Sequence, residues 1–338
     1  MKKEVKNRVR LGTLDILTGG AMLLVISGHH RFLEEYAWWY GTYGEIVYSF
    51  HMALFMLISG FLIQYSYPST PTSYTQYVGR KLRKFLPAYF TVGLIASVIK
   101  SPSLIDFFRS ILLLFYDPVN GSIQIIWYIY VLMVFYALMP FITKLSKFGL
   151  FTLLPITLVL SLVSSNLSSI FCLRFLLFFL FFFLVGVLSC RYFQYVKKIG
   201  LVNWFILGLP FLTYVSLFIY WQCNPFTFFG WRTISSILAL PFCVWIGLGL
   251  HRLKYKFIEQ GFSILSKYAF SIYLWQMFAI NTLWLFFSRL FIRWLNPSTT
   301  FIYLIISTCF AVVGIIVMVR SYEKIKQWVV QRIKSKYY

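Results

Sequence analysis

Acidic residues are scarce: 9 Asp and Glu stand against 31 Lys and Arg in 338 residues, and charged residues of both signs make up 12% of the chain. So few charges cannot coat a soluble globule of this length. With 60% hydrophobic residues and a mean hydropathy of +0.76, a cytosolic enzyme is excluded. Cysteine is sparse too. Cys172, Cys190, Cys223, Cys243 and Cys309 are odd in number and form no CxxC, and no histidine stands at ligand spacing. That argues against a disulfide framework and against any metal site, and leaves the cysteines as small apolar fillers. No A-x-A-like cleavage site follows the basic, then apolar, N-terminus, so the first apolar run is expected to remain in the chain. Internal repeats and low-complexity linkers are also missing, which leaves no room for a solenoid or a tethered second domain.

What is present is a series of long apolar runs. A spanning helix needs about 20 apolar residues, and ten such stretches are expected near 14–30, 46–65, 85–99, 123–143, 150–164, 170–188, 201–221, 233–250, 268–287 and 300–319. The run 104–116 is short and carries Asp106 and Arg109, so it reads as an interfacial or re-entrant piece. The fold class is therefore an all-α integral membrane protein of about ten transmembrane helices. It forms one membrane domain, with a basic tail at 1–13, a helical bundle at 14–319 and a second basic tail at 320–338.

A net charge of +22 would elsewhere suggest nucleic acid. Here 24 of the 31 cations fall in the two tails and in the loops after the even-numbered spans. The positive-inside rule turns this asymmetry into topology: both termini cytoplasmic, an even number of spans, and no nucleic-acid partner. Seven cations lie elsewhere: Arg31, Lys100, Arg109, Arg174, Arg232, Arg289 and Arg293.

Ionisable groups in or at the edges of spans are costly unless a cavity or a partner receives them, which makes them functional candidates. Asp15, His29 and His30 belong to the first span, Glu45 and His51 to the outer end of the second, and Arg174 to the sixth. Asp15 and His29 are 14 positions apart, hence within about 40° of one helix face and about 21 Å apart along the axis; Thr18 shares that stripe, while His30 points about 100° away from His29. Two readings stand for these groups: a polar path along the helix, or residues that simply begin and end a span at headgroup level.

Two further clusters have a sharp and a plain reading. Arg80, Lys81, Arg83 and Lys84 either set topology and attract anionic lipid or bind the phosphates of an anionic cosubstrate. In the first outer loop Trp38 and Trp39, with Tyr36, Tyr40, Tyr43 and nearby Glu34, Glu35 and Glu45, suit either an aromatic belt or a sugar-binding rim of ring faces and carboxylates. The phenylalanine run 178–183 excluding Leu180 is packing or lipid-facing surface.

Several of these segments, in order, resemble a known family. Leu14-Asp15-Ile16-Leu17-Thr18-Gly19-Gly20-Ala21 through Val25-Ile26-Ser27-Gly28-His29 is similar to the LDxLRGIAxxxVxxxH opening of the acyltransferase 3 family of bacterial multi-span membrane O-acyltransferases. Phe50-His51-Met52-Ala53-Leu54-Phe55 and Ile58-Ser59-Gly60-Phe61-Leu62 resemble its FHMPLFFxISGFL signature, and Arg80-Lys81-Leu82-Arg83-Lys84-Phe85-Leu86-Pro87-Ala88-Tyr89 its RRLRRLLPAY entry to span three. Weaker echoes follow around Trp127-Tyr128, Phe182 to Gly186, and Tyr268 to Trp275. Two positions depart from the pattern. Thr18 stands where the family has Arg, and Gln276 where the span-nine signature ends in His.

The resemblance implies an O-acyltransferase in the bacterial cytoplasmic membrane that moves an acyl group, acetyl above all, from acyl-CoA to a hydroxyl of a cell-surface or lipid-linked glycan. In that reading His29 is the general base, with His30 its nearest rival, because an imidazole suits proton removal near neutral pH. Arg80, Lys81, Arg83 and Lys84 would hold the CoA phosphates on the cytoplasmic side. Asp15, Glu45, His51, Trp38 and Trp39 would contribute to the acceptor path. The partners implied are acyl-CoA, the glycan acceptor and the lipid bilayer, with oligomerisation compatible. The missing Arg at Thr18 keeps one alternative open, a non-catalytic glycan carrier or export protein of the same fold.

Overall fold

The computed structural model describes residues 12–68, 73–193, 204–224 and 230–337. Among the described residues the secondary structure is helical throughout, with short 3-10 turns and no strand. In chain order the helices are α1 (Gly12–Gly28), α2 (Trp38–Ser66), α3 (Tyr74–Lys100), α4 (Leu104–Tyr116), α5 (Trp127–Lys144), α6 (Lys147–Val163), α7 (Leu173–Arg191), α8 (Trp204–Cys223), α9 (Trp231–Arg252), α10 (Lys256–Phe291) and α11 (Pro297–Tyr337). The basic N-terminal residues Lys2, Lys3, Lys6, Arg8 and Arg10, together with Lys197 and Lys198, lie outside the described residues.

Eight of these segments are long and apolar enough to cross a bilayer, and the apolar α1 is shorter at 17 residues. Helix α8 occupies the seventh predicted span. The expected boundaries need correction: α2 runs for 29 residues, α3 for 27, α10 for 36 and α11 for 41, against nearly uniform spans of about 20. Hydropathy marks only the part of a helix that meets hydrocarbon, whereas the hydrogen-bond ladder continues until something breaks it. Helix α2 stops at Ser66 because Tyr67 is extended and precedes Pro68. Helix α11 has no Gly or Pro after Gly314, so the C-terminal basic segment expected as a tail continues the helix. The outer aromatic loop is likewise partly helical, since Trp38 opens α2.

The interfacial or re-entrant piece expected at 104–116 is α4. Ser103 caps it, its Oγ accepting the Asp106 N–H at 3.2 Å. It packs along α3: Leu114 is buried, Gly93 makes room for the Leu114 side chain, and the Tyr89 hydroxyl donates to the Leu114 carbonyl at 2.5 Å. Its other face exposes Leu104, Ile105, Phe108 and Leu112, the orientation expected of an interfacial helix.

Two contacts organise the bundle. Helices α2 and α7 cross so closely that a Cβ on Gly60 would strike the Phe183 carbonyl and one on Gly186 the Leu57 carbonyl. Small residues at such a crossing allow backbone-to-backbone packing, the main source of helix association in lipid. Helix α1 is enclosed by α2, α9, α10 and α11, with Ala21, Met22, Val25 and Ile26 buried. At the end of the bundle far from the C-terminus of α1, Arg191 donates to the Ile142 carbonyl at 3.2 Å and the Leu145 carbonyl at 3.4 Å, adding donors to the carbonyls at the end of α5.

Candidate functional site

The C-terminus of α1, one face of α2 and the first turns of α7 and α9 converge on a cavity of about 780 Å³. Helix α1 stops at Gly28, and a 3-10 turn at Arg31–Glu35 leads the chain into α2, so His29 and Arg31 sit at the turn itself. Tyr48, His51 and Met52 of α2 line the cavity because positions three and four apart share a helix face. The wall opposite comes from Trp127, from Arg174 and Phe175 at the start of α7, and from Arg232 at the start of α9.

Local chemistry explains why α9 begins there. Gly230 adopts φ +73° at the helix N-cap, a left-handed conformation that L side chains rarely adopt. A Cβ there would also strike Leu162. The Ser161 and Thr233 hydroxyls then meet at 3.0 Å, and the Ser236 hydroxyl donates to the Ser49 carbonyl at 2.6 Å. These bonds tie the first turns of α9 to α6 and α2.

The histidines are sorted by their hydrogen bonds. His29 is half-buried on the cavity wall, and its Nδ1–H donates to the Val25 carbonyl at 2.6 Å. Since a carbonyl can only accept, this fixes the proton on Nδ1 and leaves the Nε2 lone pair of the neutral ring available. His51 repeats the pattern, Nδ1–H donating to the Val47 carbonyl at 2.7 Å, and also lines the cavity. The Tyr48 ring stands edge-on to both imidazoles, 5.9 Å from His29 and 5.2 Å from His51. Its hydroxyl donates to the Gly28 carbonyl at 2.9 Å, which anchors the turn.

His30 lies elsewhere. It is fully buried, Nδ1–H donates to the Ile26 carbonyl at 3.0 Å, and Nε2 accepts from the Ser307 hydroxyl of α11 at 2.9 Å. Both ring nitrogens are committed, and Phe32 and Tyr303 pack against the ring. The fourth histidine, His251, faces Glu259 at 3.0 Å between α9 and α10.

The remaining sequence candidates are dispersed. Asp15 is in the first turn of α1 and does not line the cavity. Glu45 is exposed and accepts a hydrogen bond from Gln222. Trp38 is 82% exposed, whereas the Trp39 indole donates to the Pro297 carbonyl at 2.9 Å and packs in a small cluster with Leu33, Tyr40 and Leu304. Arg80, Lys81, Arg83 and Lys84 lie on α3 near its start, reached through the far end of α2 and absent from the cavity lining. Within that group Lys81 rests over the Tyr136 ring at 4.7 Å, while Arg80, Arg83 and Lys84 are exposed.

Gln276 is fully buried and neither of its amide atoms has a hydrogen-bond partner. The residues that sequence reasoning passed over are Tyr48, Trp127, Arg31 and Arg232. For the two arginines a signal existed: with Arg174 they are three of the seven cations off the basic face of the protein, and all three line one cavity.

No curated protein and no solved structure matches the chain. The family model described as an acyltransferase domain matches residues 11–317, nearly the whole length, and takes in α1, the cavity and the basic start of α3. On that match, carried by an all-helical, multi-span membrane bundle, the chain belongs to the acyltransferase 3 family, and the protein is an acyltransferase.

Proposed function

We propose that the protein moves an acyl group, most simply acetyl, from cytoplasmic acyl-CoA to a hydroxyl of a cell-surface or lipid-linked glycan, with His29 as the general base. The observation that carries this reading is the His29 ring itself: its Nδ1–H is held by the Val25 carbonyl while Nε2 remains free on the wall of a cavity that also holds Arg31, Arg174 and Arg232. Geometry of this kind holds the imidazole in the tautomer a base needs.

In the proposed reaction Nε2 takes the proton of the acceptor hydroxyl as its oxygen attacks the thioester carbonyl. The tetrahedral oxyanion then collapses, the C–S bond breaks, and the leaving CoA thiolate recovers the proton from the imidazolium. Arg31 acts electrostatically on His29, its guanidinium lies 5.1 Å over the Tyr48 ring that borders His29, and it is assigned to the developing oxyanion. His30 is assigned to holding α11 against the end of α1, since its second nitrogen already accepts from Ser307. Asp15, Glu45, His51, Trp38 and Trp39 remain candidates for the acceptor path, with His51 supported by its place in the cavity.

The exposed Arg80, Arg83 and Lys84 are assigned to the CoA phosphates at the cytoplasmic face, from which the pantetheine arm would carry the thioester into the bundle. The charge asymmetry supports a cytoplasmic position for both termini. The test is mass spectrometry of surface glycans from cells that carry the wild-type protein, His29→Ala or no protein. An acyl mass increment that depends on wild type and vanishes with His29→Ala supports the reading; an increment retained in His29→Ala overturns the assignment of the base.

A further inference from the structure

The cavity beside His29 is strongly cationic. Arg31 and Arg232 stand exposed and Arg174 half-buried around it, and both Arg31 and Arg174 act electrostatically on Arg232. No Asp or Glu lines the cavity among the described residues. Asp117, Glu45 and Glu34 lie outside the lining. One Asp117 oxygen accepts from Asn120 at 2.7 Å and from Ser169 at 3.1 Å, Glu45 accepts from Gln222, and Glu34 lies exposed on the 3-10 turn.

Position makes this arrangement unfavourable on its own. Arg174 is the second residue of α7 and Arg232 the second residue of α9. Both therefore sit at the positive end of a helix dipole, where anions are favoured and cations are not. Three guanidinium groups and two helix N-termini around one acid-free space produce a positive potential that a bound anion would relieve. Two of the guanidinium groups are held against aromatic rings. Arg174 rests over the Phe175 ring at 4.8 Å and Arg31 over the Tyr48 ring at 5.1 Å. A guanidinium held against a ring carries five N–H donors, more than such a contact uses, so donors remain for the two oxygens of a carboxylate or phosphate.

We propose that Arg174 and Arg232, joined at the rim by Arg31, form a subsite for an oxyanion, a carboxylate or a phosphate, carried by a substrate of the acyl-transfer site. That the oxyanion belongs to a substrate rests on the function proposed above; that an oxyanion binds here does not. The cavity, at about 780 Å³, is of the size that receives small-molecule ligands. A charged acceptor, such as a phosphorylated sugar, and a dicarboxylic acyl group would both present this chemistry, and so would an anionic lipid headgroup entering from the outer leaflet.

The experiment measures binding of probes to the full chain in neutral detergent, through the thermal midpoint and the emission of Trp127, Trp221 and Trp231, which line the cavity. The probes are succinate, glucose 1-phosphate, glucose, and phosphatidylglycerol in mixed micelles, each titrated into wild type, Arg174→Gln, Arg232→Gln, Arg232→Lys and His29→Ala. Saturable binding of at least one anion, with glucose inert, is expected. Arg174→Gln and Arg232→Gln should each raise the dissociation constant about tenfold or more, the scale of one charge-assisted contact. Arg232→Lys should bind more tightly than Arg232→Gln, which separates charge from damage to the fold.

Preference for succinate would place the charge on the acyl group, preference for glucose 1-phosphate on the acceptor, and displacement of both by phosphatidylglycerol on a lipid headgroup. Absence of saturable anion binding, equal binding of glucose, or Gln variants that bind like wild type would overturn the subsite. His29→Ala should bind the anion as wild type does. If it does while wild type transfers no acyl group, the subsite stands and the proposed function fails; if wild type acylates glycan and binds no anion, the reverse holds.

Discussion

Two adjacent histidines should respond to substitution in opposite ways. Replacing His30 by Ala removes two buried hydrogen bonds, to Ile26 and Ser307, each contributing about 1 kcal/mol. It also empties a packed ring site between Phe32 and Tyr303, which costs a further ~2 kcal/mol at the low end for large-to-small changes. The total of about 4 kcal/mol should lower the unfolding midpoint by about 5–10 °C. Replacing His29 by Ala removes one hydrogen bond of a half-buried ring, about 1 kcal/mol and little change in midpoint. It should nevertheless lower the acyl-transfer rate by about 10²–10⁴, the usual contribution of a positioned base. The assay pairs thermal unfolding in detergent with acyl incorporation per folded molecule. If His30→Ala abolishes transfer in protein that is still folded while His29→Ala retains it, the assignment built on ring-nitrogen partners is wrong.

Three other outcomes are expected. Gly186→Ala should destabilise the protein by several kcal/mol, because its Cβ meets the Leu57 backbone, while Gly314→Ala, with open space around it, should stabilise by about 0.5–1 kcal/mol through helix propensity; unfolding midpoints check both. Gln276→Met should raise stability by about 1–2 kcal/mol, since it removes two buried polar atoms without partners at similar volume. Loss of transfer in a stabilised Gln276→Met protein would instead show that the amide is held for a substrate. Arg80→Gln combined with Arg83→Gln should raise KM for acyl-CoA about tenfold or more with kcat nearly unchanged, and the effect should shrink at high salt; an unchanged KM would remove these residues from the donor site.

Much of this protein was legible along the chain because its signals are local. A run of apolar residues reports its own solvent, so the segments that became α4, α5, α6, α7 and α9 were located to within a few residues. Helix ends were read poorly in α2, α3, α10 and α11 for a physical reason: the bilayer selects composition, whereas breakers and tertiary packing decide where a helix stops. At the site, His29 and His51 stood out as polar groups at span edges, and both line the cavity. Trp39 stood out equally as a binding-rim residue, and the structure puts its indole on the Pro297 carbonyl and its ring beside Leu33, Tyr40 and Leu304, away from the cavity lining. Residue type alone could not separate those outcomes.

Composition, charge asymmetry and motif order determined by themselves that this is a multi-span helical membrane protein resembling the acyltransferase 3 family. Each of these is a property of single segments summed along the chain. Only the tertiary structure decided which of two neighbouring histidines keeps a free nitrogen, because that depends on Ser307, 277 positions away. Only it could gather Arg31, Arg174 and Arg232 into one acid-free cavity. Three cations scattered over 200 positions look like exceptions to a topology rule until folding brings them together, since an electrostatic site is made by distances through space.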